Sequence, residues 1–223
     1  LWQCAEDDLA IEEETSMTEH DFHVYQPLDG HGLKHDPFNA IIGPRPIGWI
    51  SSCDKNGQVN LAPYSFFNAF NYKPPIIGFC SIGSKDSIRN IMETGEFVWN
   101  LATKDLASHM NATAARVPHE VDEFKIAGLT AVPSKFVGAP RVGESRAAME
   151  CKVVQVVQLK DKEGNTVPSW LTLGEVVAVY IDRALIKDGV YQTAEAHPIL
   201  RAGRMGDYAE INPDIMFEMP RPD

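Results

Sequence analysis

Apolar residues in this chain fall in short runs bounded by turn residues, a pattern that predicts strands more than helices. Ile47–Cys53 is one such run. Asp54-Lys55-Asn56-Gly57 follows it as a hairpin turn, with Asn-Gly supplying residues that tolerate positive φ, and Val59–Ala62 is the return strand. Ile76–Ser81 and Phe97–Leu101 read as further strands. A long hairpin closes the pattern, with arms Ala148–Leu159 and Trp170–Asp182 around Lys160–Asn165. In its second arm Leu171, Leu173, Val177, Val179 and Ile181 share a face interrupted by Glu175, which is either a buried carboxylate or a rim or paired residue.

Helical patterns are fewer. One starts near Ser84-Lys85-Asp86-Ser87, where Ser84 or Asp86 would cap it, and stops at Gly95. Asp105–Ala115 and His119–Ala127 are two more, separated by Pro118. Residues 21–44 carry enough Pro and Gly to predict extended chain and turns, residues 128–143 read as loop, and the C-terminal tail is Pro- and Gly-bearing. Hairpins dominate and no βαβα alternation is present, so a mainly β fold, an antiparallel barrel with helical insertions, is expected over a doubly wound sheet.

Composition narrows the function classes. A formal charge of −11 over 223 residues disfavours nucleic acid as a partner while leaving room for a local basic pocket. Cysteines at 4, 53, 80 and 151 have no CxxC spacing, which fits free thiols in a reducing compartment and makes the cytoplasm the expected location. No apolar run is long enough to span a bilayer, and residues 1–4 lead into acids with neither a basic n-region nor an h-region. Residues 1–20 are expected to be an acidic arm. Met17 marks an alternative start that would make 1–16 an upstream segment, and residues 21–223 are expected to form one domain.

No GxGxxG, P-loop or GxSxG motif is present. His31 and His35 have metal-helix spacing, but Gly30, Gly32 and Pro37 favour a loop, and His109 is either pocket-facing or a partly exposed helix residue. The turn Gly83–Asn90 is more informative. It is either an ordinary capped helix or an anion site, where unpaired N–H groups, the Ser84 and Ser87 hydroxyls, Lys85 and Arg89 would meet a phosphate. Trp49 in the strand Arg45–Ser52 would either plug a core or pack on a ring face, and the serines beside it could meet a heterocycle. Asn60–Asn68 adds two amides, Asn60 and Asn68, in an aromatic setting.

The ordered set Arg45-Pro46-Ile47-Gly48-Trp49-Ile50-Ser51, Asn60-Leu61-Ala62-Pro63-Tyr64-Ser65-Phe66-Phe67-Asn68 and Lys85-Asp86-Ser87-Ile88-Arg89-Asn90-Ile91 resembles the flavin reductase-like family of FMN-binding split barrels. The similarity is to the flavoredoxin and nitrilotriacetate monooxygenase component B branch. Asp122-Glu123-Phe124, Pro140-Arg141-Val142, Gly174-Glu175-Val176 and Pro198-Ile199-Leu200-Arg201 extend it, over roughly residues 20–212. The resemblance implies a six-stranded antiparallel Greek-key barrel and a homodimer with FMN in a groove. Arg45, Ile47, Trp49, Ser51 and Ser52 would flank the ring and ribityl chain. Asn60, Pro63, Tyr64 and Ser65 would meet the isoalloxazine edge, and Asn68 the ring or ribityl chain. Ser84, Lys85, Asp86 and Ser87 would hold the phosphate, and Arg201 would reach in from the C-terminal region. The activity implied is NAD(P)H-dependent reduction of FMN, serving a separate monooxygenase. A flavoredoxin-like electron carrier with tightly held FMN, or a non-catalytic flavin-binding module, are the alternatives.

Overall fold

In the computed structural model residues 20–222 are described, so the expected acidic arm lies almost entirely outside the described residues. The chain divides into two units at Asp36/Pro37. In the first, the loop reading of His31 holds: a 3-10 turn at Pro27–Asp29 is followed by irregular chain, and the His31 Nδ1 accepts the Leu33 N–H at 3.0 Å. Among the described residues no cluster of His, Cys, Asp and Glu could hold a metal.

The second unit begins with α1 (Phe38–Ile41), β1 (Arg45–Pro46), β2 (Gly48–Cys53), β3 (Val59–Tyr64), β4 (Phe67–Asn71) and β5 (Ile76–Ile82). It continues with α2 (Asp86–Thr94), β6 (Glu96–Asn100), α3 (Ala107–Ala112), α4 (Glu123–Ile126), β7 (Ala131–Val132) and β8 (Arg141–Val142). The last elements are β9 (Ala147–Lys160), β10 (Thr166–Ile181), β11 (Ile186–Lys187), β12 (Val190–Tyr191), β13 (Ile199–Arg201) and β14 (Tyr208–Glu210). No helix among the described residues is long and apolar enough to cross a membrane.

Seven strands form one antiparallel ladder in the order β3-β2-β6-β9-β10-β5-β4. Its two edges, β3 and β4, are consecutive in sequence and joined by Ser65-Phe66. The sheet must therefore curl until its ends meet, which makes it a split barrel. The expected fold stands; β4, which pairs with β5 in its own right, is the strand beyond the expected six.

Local chemistry explains the hairpins. Asp54 Oδ1 accepts from the N–H groups of Asn56 and Gln58, both at 2.8 Å, and Gly57 turns with φ at 82°. The β9–β10 turn repeats the device with Asp161 and Asn165. α2 ends where expected, on left-handed Gly95, but neither Ser84 nor Asp86 caps its start: the N-cap is Lys85, with no side-chain hydrogen bond. α3 and α4 are shorter than the sequence pattern suggested.

The apolar face expected of β10 exists, but it is the outer one. Thr172 and Gly174 alternate with it, buried inside, while Val177, Val179 and Ile181 are exposed. A side chain at Gly174 would strike the Phe97 ring, so glycine is what lets β10 close over the core. Glu175 is only half-buried; Glu123 and Glu150 are the buried carboxylates. The barrel interior packs Ile50, Phe79, Phe97, Ile88 and Ile91, the last two from the inner face of α2. A second core gathers Trp49, Leu61, Met110 and Phe124 between β2, β3, α3 and α4.

Candidate functional site

A cavity of about 600 Å³ opens between β3, the start of α2, and the chain on either side of Pro118. Asn60, Ala62, Pro63 and Tyr64 form its strand wall. Ser84, Lys85, Asp86, Ser87 and Arg89 form the helix end, Thr113–Val117 a facing loop, and Glu123 a buried corner. The helix end is built for an anion: the first N–H groups of α2 have no intrahelical acceptor, and the helix dipole adds to the charge of Lys85 and Arg89. The Lys85 ammonium sits 5.9 Å above the Tyr64 ring, so it is held against the strand wall.

Asp86 has a different place from the one expected of a phosphate ligand. Its Oδ1 accepts from Arg89 and lies 3.1 Å from Nδ1 of His119, whose Nε2 is 3.7 Å from Asp54. Asp86 therefore positions Arg89 and the His119 ring around the helix start, and Arg89 compensates its charge. Ser87 is buried and its hydroxyl accepts from Asn60 Nδ2 at 2.7 Å, tying β3 to α2. The loop Thr113–Val117 is fixed from the core: Trp49 Nε1 donates to Thr113 Oγ1 at 3.0 Å.

Two titratable groups stand out. Burial pushes the Glu123 carboxyl above its usual range, more than the Leu61 N–H that it accepts at 3.2 Å can offset. Burial also pushes the Tyr64 phenol up, against the lowering influence of Ser87 and Ser81. The Ser81 and Ser87 hydroxyls stand beside the Tyr64 hydroxyl, but neither closes a hydrogen bond of good geometry on it, although the residue is only 6% exposed. A buried polar oxygen without a partner, beside a cavity, points to a group that the protein itself does not supply.

The family model described as flavin reductase like domain matches residues 43–199. The chain belongs to the flavin reductase-like family. An uncharacterized protein of Aquifex aeolicus is 35% identical over 187 residues, covering 81% of this chain and 91% of the relative. Nitrilotriacetate monooxygenase component B from Bacillus cereus is similar in structure, with a TM-score of 0.75 and 31% identity over 82% of this chain and 90% of that one. Pseudomonas fluorescens 2-nitrobenzoate 2-nitroreductase matches with a TM-score of 0.73 and 26% identity, covering 83% and 91%. Flavoredoxin of Desulfovibrio vulgaris (Miyazaki F), with a TM-score of 0.69 and 22% identity over 79% and 90%, shares the fold.

For this flavin reductase-like protein the cavity gathers Asn60, Pro63, Tyr64, Ser84, Lys85, Asp86 and Ser87 from the residues expected at the site. Others lie elsewhere. Ile47 and Trp49 are core residues, and Trp49, at 0% exposure, has no face to offer a ring. Ser51 and Ser52 are equally buried: Ser51 donates to the Pro140 carbonyl at 2.5 Å, and Ser52 accepts from Asn90. Ser65 is half-buried outside the cavity lining, and exposed Asn68 bonds the neighbouring Ala69 N–H. Arg45 and Arg201 face each other across β1 and β13. His109 is half-buried, its Nδ1 2.6 Å from the Ala127 carbonyl. Thr113–Val117 and Glu123 are lining residues that site reasoning from the sequence missed. Only Asp122-Glu123-Phe124 signalled any of them, as part of the family pattern.

Proposed function

We propose that this protein binds FMN in the cavity at the start of α2 and catalyses its reduction by NAD(P)H. The observation that carries the reading is the convergence, in one cavity of about 600 Å³, of a helix N-terminus, cations and hydroxyls at one end and a strand wall with an unpartnered buried phenol at the other. That volume lies in the range of small-ligand sites. The donor set fits a mononucleotide. Lys85, Arg89, Arg116, the Ser84 hydroxyl and the opening N–H groups of α2 would hold the phosphate. Asn60 and Glu123 offer an amide and a carboxyl suited to polyol hydroxyls, and Ala62, Pro63 and Tyr64 supply apolar contact. Asp86 would act indirectly, by orienting Arg89.

Bound flavin would supply the redox chemistry, accepting a hydride from the reduced nicotinamide. The chain's own work is to bind, orient and exclude water, for which no nucleophile or general base is needed. Similarity to nitrilotriacetate monooxygenase component B supports a further step, delivery of reduced flavin to a separate monooxygenase.

A homodimer is part of the same proposal. Val154, Val177, Val179 and Ile181 on the outer face of β9 and β10 are 51%, 38%, 55% and 39% exposed, an apolar surface suited to a second copy. Sedimentation velocity of wild type against Val179→Glu tests it; a monomeric wild type refutes it.

The deciding experiment is spectroscopic and kinetic. Purified protein titrated with FMN should turn yellow with saturable binding, and NADH or NADPH oxidation should rise with added free FMN. Protein that FMN cannot turn yellow would remove the reading. Bound flavin that is reduced by a protein donor, without NAD(P)H turnover, would favour the electron-carrier alternative.

A further inference from the structure

We propose that His119 straps the loop facing the first cavity to the start of α2, and that this strap opens and closes the phosphate end of the cavity. The proposal rests on the flavin-binding reading above and adds the moving part of that site.

The chain from Thr113 to Asp122 is anchored at both ends. Thr113 Oγ1 accepts from the buried Trp49 indole at 3.0 Å and donates to the Met110 carbonyl at 2.7 Å. At the other end Asp122 caps α4, accepting from the Phe124 N–H at 3.0 Å, and Glu123 accepts from the Leu61 N–H at 3.2 Å. Between these anchors the backbone hydrogen bonds are local: Ala114 donates to Asn111, Ala115 to Ala112 and Val121 to Pro118. Ala114, Ala115, Arg116, Pro118 and Glu120 are exposed.

Among the described residues, the side chain that ties this stretch to other elements by hydrogen bond or ion pair is His119. Its Nδ1 lies 3.1 Å from Asp86 Oδ1 in the first turn of α2, and its Nε2 lies 3.7 Å from Asp54 Oδ2 in the β2–β3 turn. A carboxylate offers only lone pairs, so Nδ1 carries a proton and donates. The Asp54 carboxyl is held below its usual range, chiefly by the Gln58 N–H, so it presents a charge to the imidazole.

Two features make this contact a latch more than a fixed joint. The His119 side chain is 36% exposed, so water competes for it, and polar contacts at such sites open at little cost. Its placement is the second. Asp86 also accepts from Arg89, and Arg116, on the strapped stretch, lines the same cavity without an ion pair among the described residues. With the strap closed, Arg116 stands across the cavity from α2. Releasing it withdraws a cation and widens the cavity where the phosphate would sit, while the anchors at Thr113 and Asp122 keep the loop from unfolding.

Trypsin cleavage after Arg116 in flavin-free protein tests the strap without a ligand. His119→Ala should raise that rate about fivefold, the scale of an exposed ion pair, while cleavage at lysines and arginines outside residues 113–122 stays fixed. His119→Asn, which keeps a donor near the position of Nδ1, should return the rate most of the way to wild type. In stopped-flow fluorescence, association and dissociation of FMN should both quicken in His119→Ala by a similar factor, leaving Kd nearly fixed. Equal cleavage after Arg116 in wild type and His119→Ala, a parallel rise at the other sites, or faster dissociation with unchanged association would each overturn the proposal. A His119-dependent loop in a protein that never binds FMN would leave the strap standing and sink the flavin-binding reading instead.

Discussion

Replacing Lys85 with alanine isolates the phosphate end of the proposed flavin site. Lys85 contributes its ammonium to the cavity, above Tyr64, and takes part in no ion pair among the described residues. Its part in α2 is played by the backbone, whose carbonyl accepts from Ile88 at 3.0 Å and Arg89 at 3.1 Å, so truncation leaves the helix start intact. A hydrogen bond to a charged group contributes about 1.5–3 kcal/mol. That corresponds to roughly ten- to a hundredfold in Kd. Lys85 is exposed, so screening puts the expected loss near the lower end, about tenfold at physiological salt and more at low ionic strength. Arg89→Ala should cost more, because it removes a cation and also releases the Asp86 carboxylate beside the bound phosphate. Fluorescence titration with FMN and riboflavin in parallel makes the test specific. Lys85→Ala should weaken FMN and leave riboflavin, which lacks the phosphate, unaffected. Unchanged FMN affinity, or an equal loss for riboflavin, would refute the phosphate assignment.

Stability measurements probe the two buried carboxylates and the tightest glycine. Glu150 accepts from Tyr180 Oη at 2.5 Å and from the N–H groups of Phe136 and Lys135 at 2.7 and 2.8 Å, so Glu150→Leu strands two backbone donors and should cost about 2–6 kcal/mol in urea melts. Burial alone would raise the Glu150 pKa, but these hydrogen bonds and Arg141 hold it below the usual glutamate value. Its contribution is therefore full above the ordinary carboxylate range and fades as pH falls through the folded value, so the gap to Glu150→Gln should narrow in acid; a constant gap speaks against it. Glu123 has the opposite sign, because burial raises it. Wild-type stability should fall relative to Glu123→Gln, which keeps an acceptor for Leu61, as pH climbs from the ordinary glutamate value through the raised folded one, and parallel curves would contradict this. Gly174→Ala brings a methyl to 2.4 Å from Phe97 Cε1 and should cost about 1–3 kcal/mol in thermal melts; an unchanged Tm would mean the core yields there freely.

The hairpins and α2 were legible in the sequence because their causes act within a few residues. Asp54 and Asp161 bond N–H groups two and four positions ahead, and Gly95 stops α2 by adopting the left-handed region. The cationic helix end of the candidate site was readable for the same reason: a helix start carries its unpaired N–H groups and its flanking Ser84, Lys85 and Ser87 together. The paired strands β13 and β14, three residues each, are too short to show a period and were passed over as tail. Trp49, Ser51 and Ser52 could have faced a ligand on chemistry alone. They do not, because pairing puts β2 inside the ladder between β3 and β6 and packing covers both its faces. The outward turn of Val177 and Val179 likewise follows from which face of β10 the barrel closes over, with Thr172 and Gly174 inside. Thr113–Val117 and Glu123 reach the cavity only because α3 and α4 pack on β3, some fifty residues earlier in the chain. Sequence by itself determined the turns, the helix start and the mainly β character, all products of short-range hydrogen bonding and backbone freedom. Tertiary structure alone decided which strand lost its surfaces and which distant loop closed the cavity, since burial depends on neighbours that sequence order does not name.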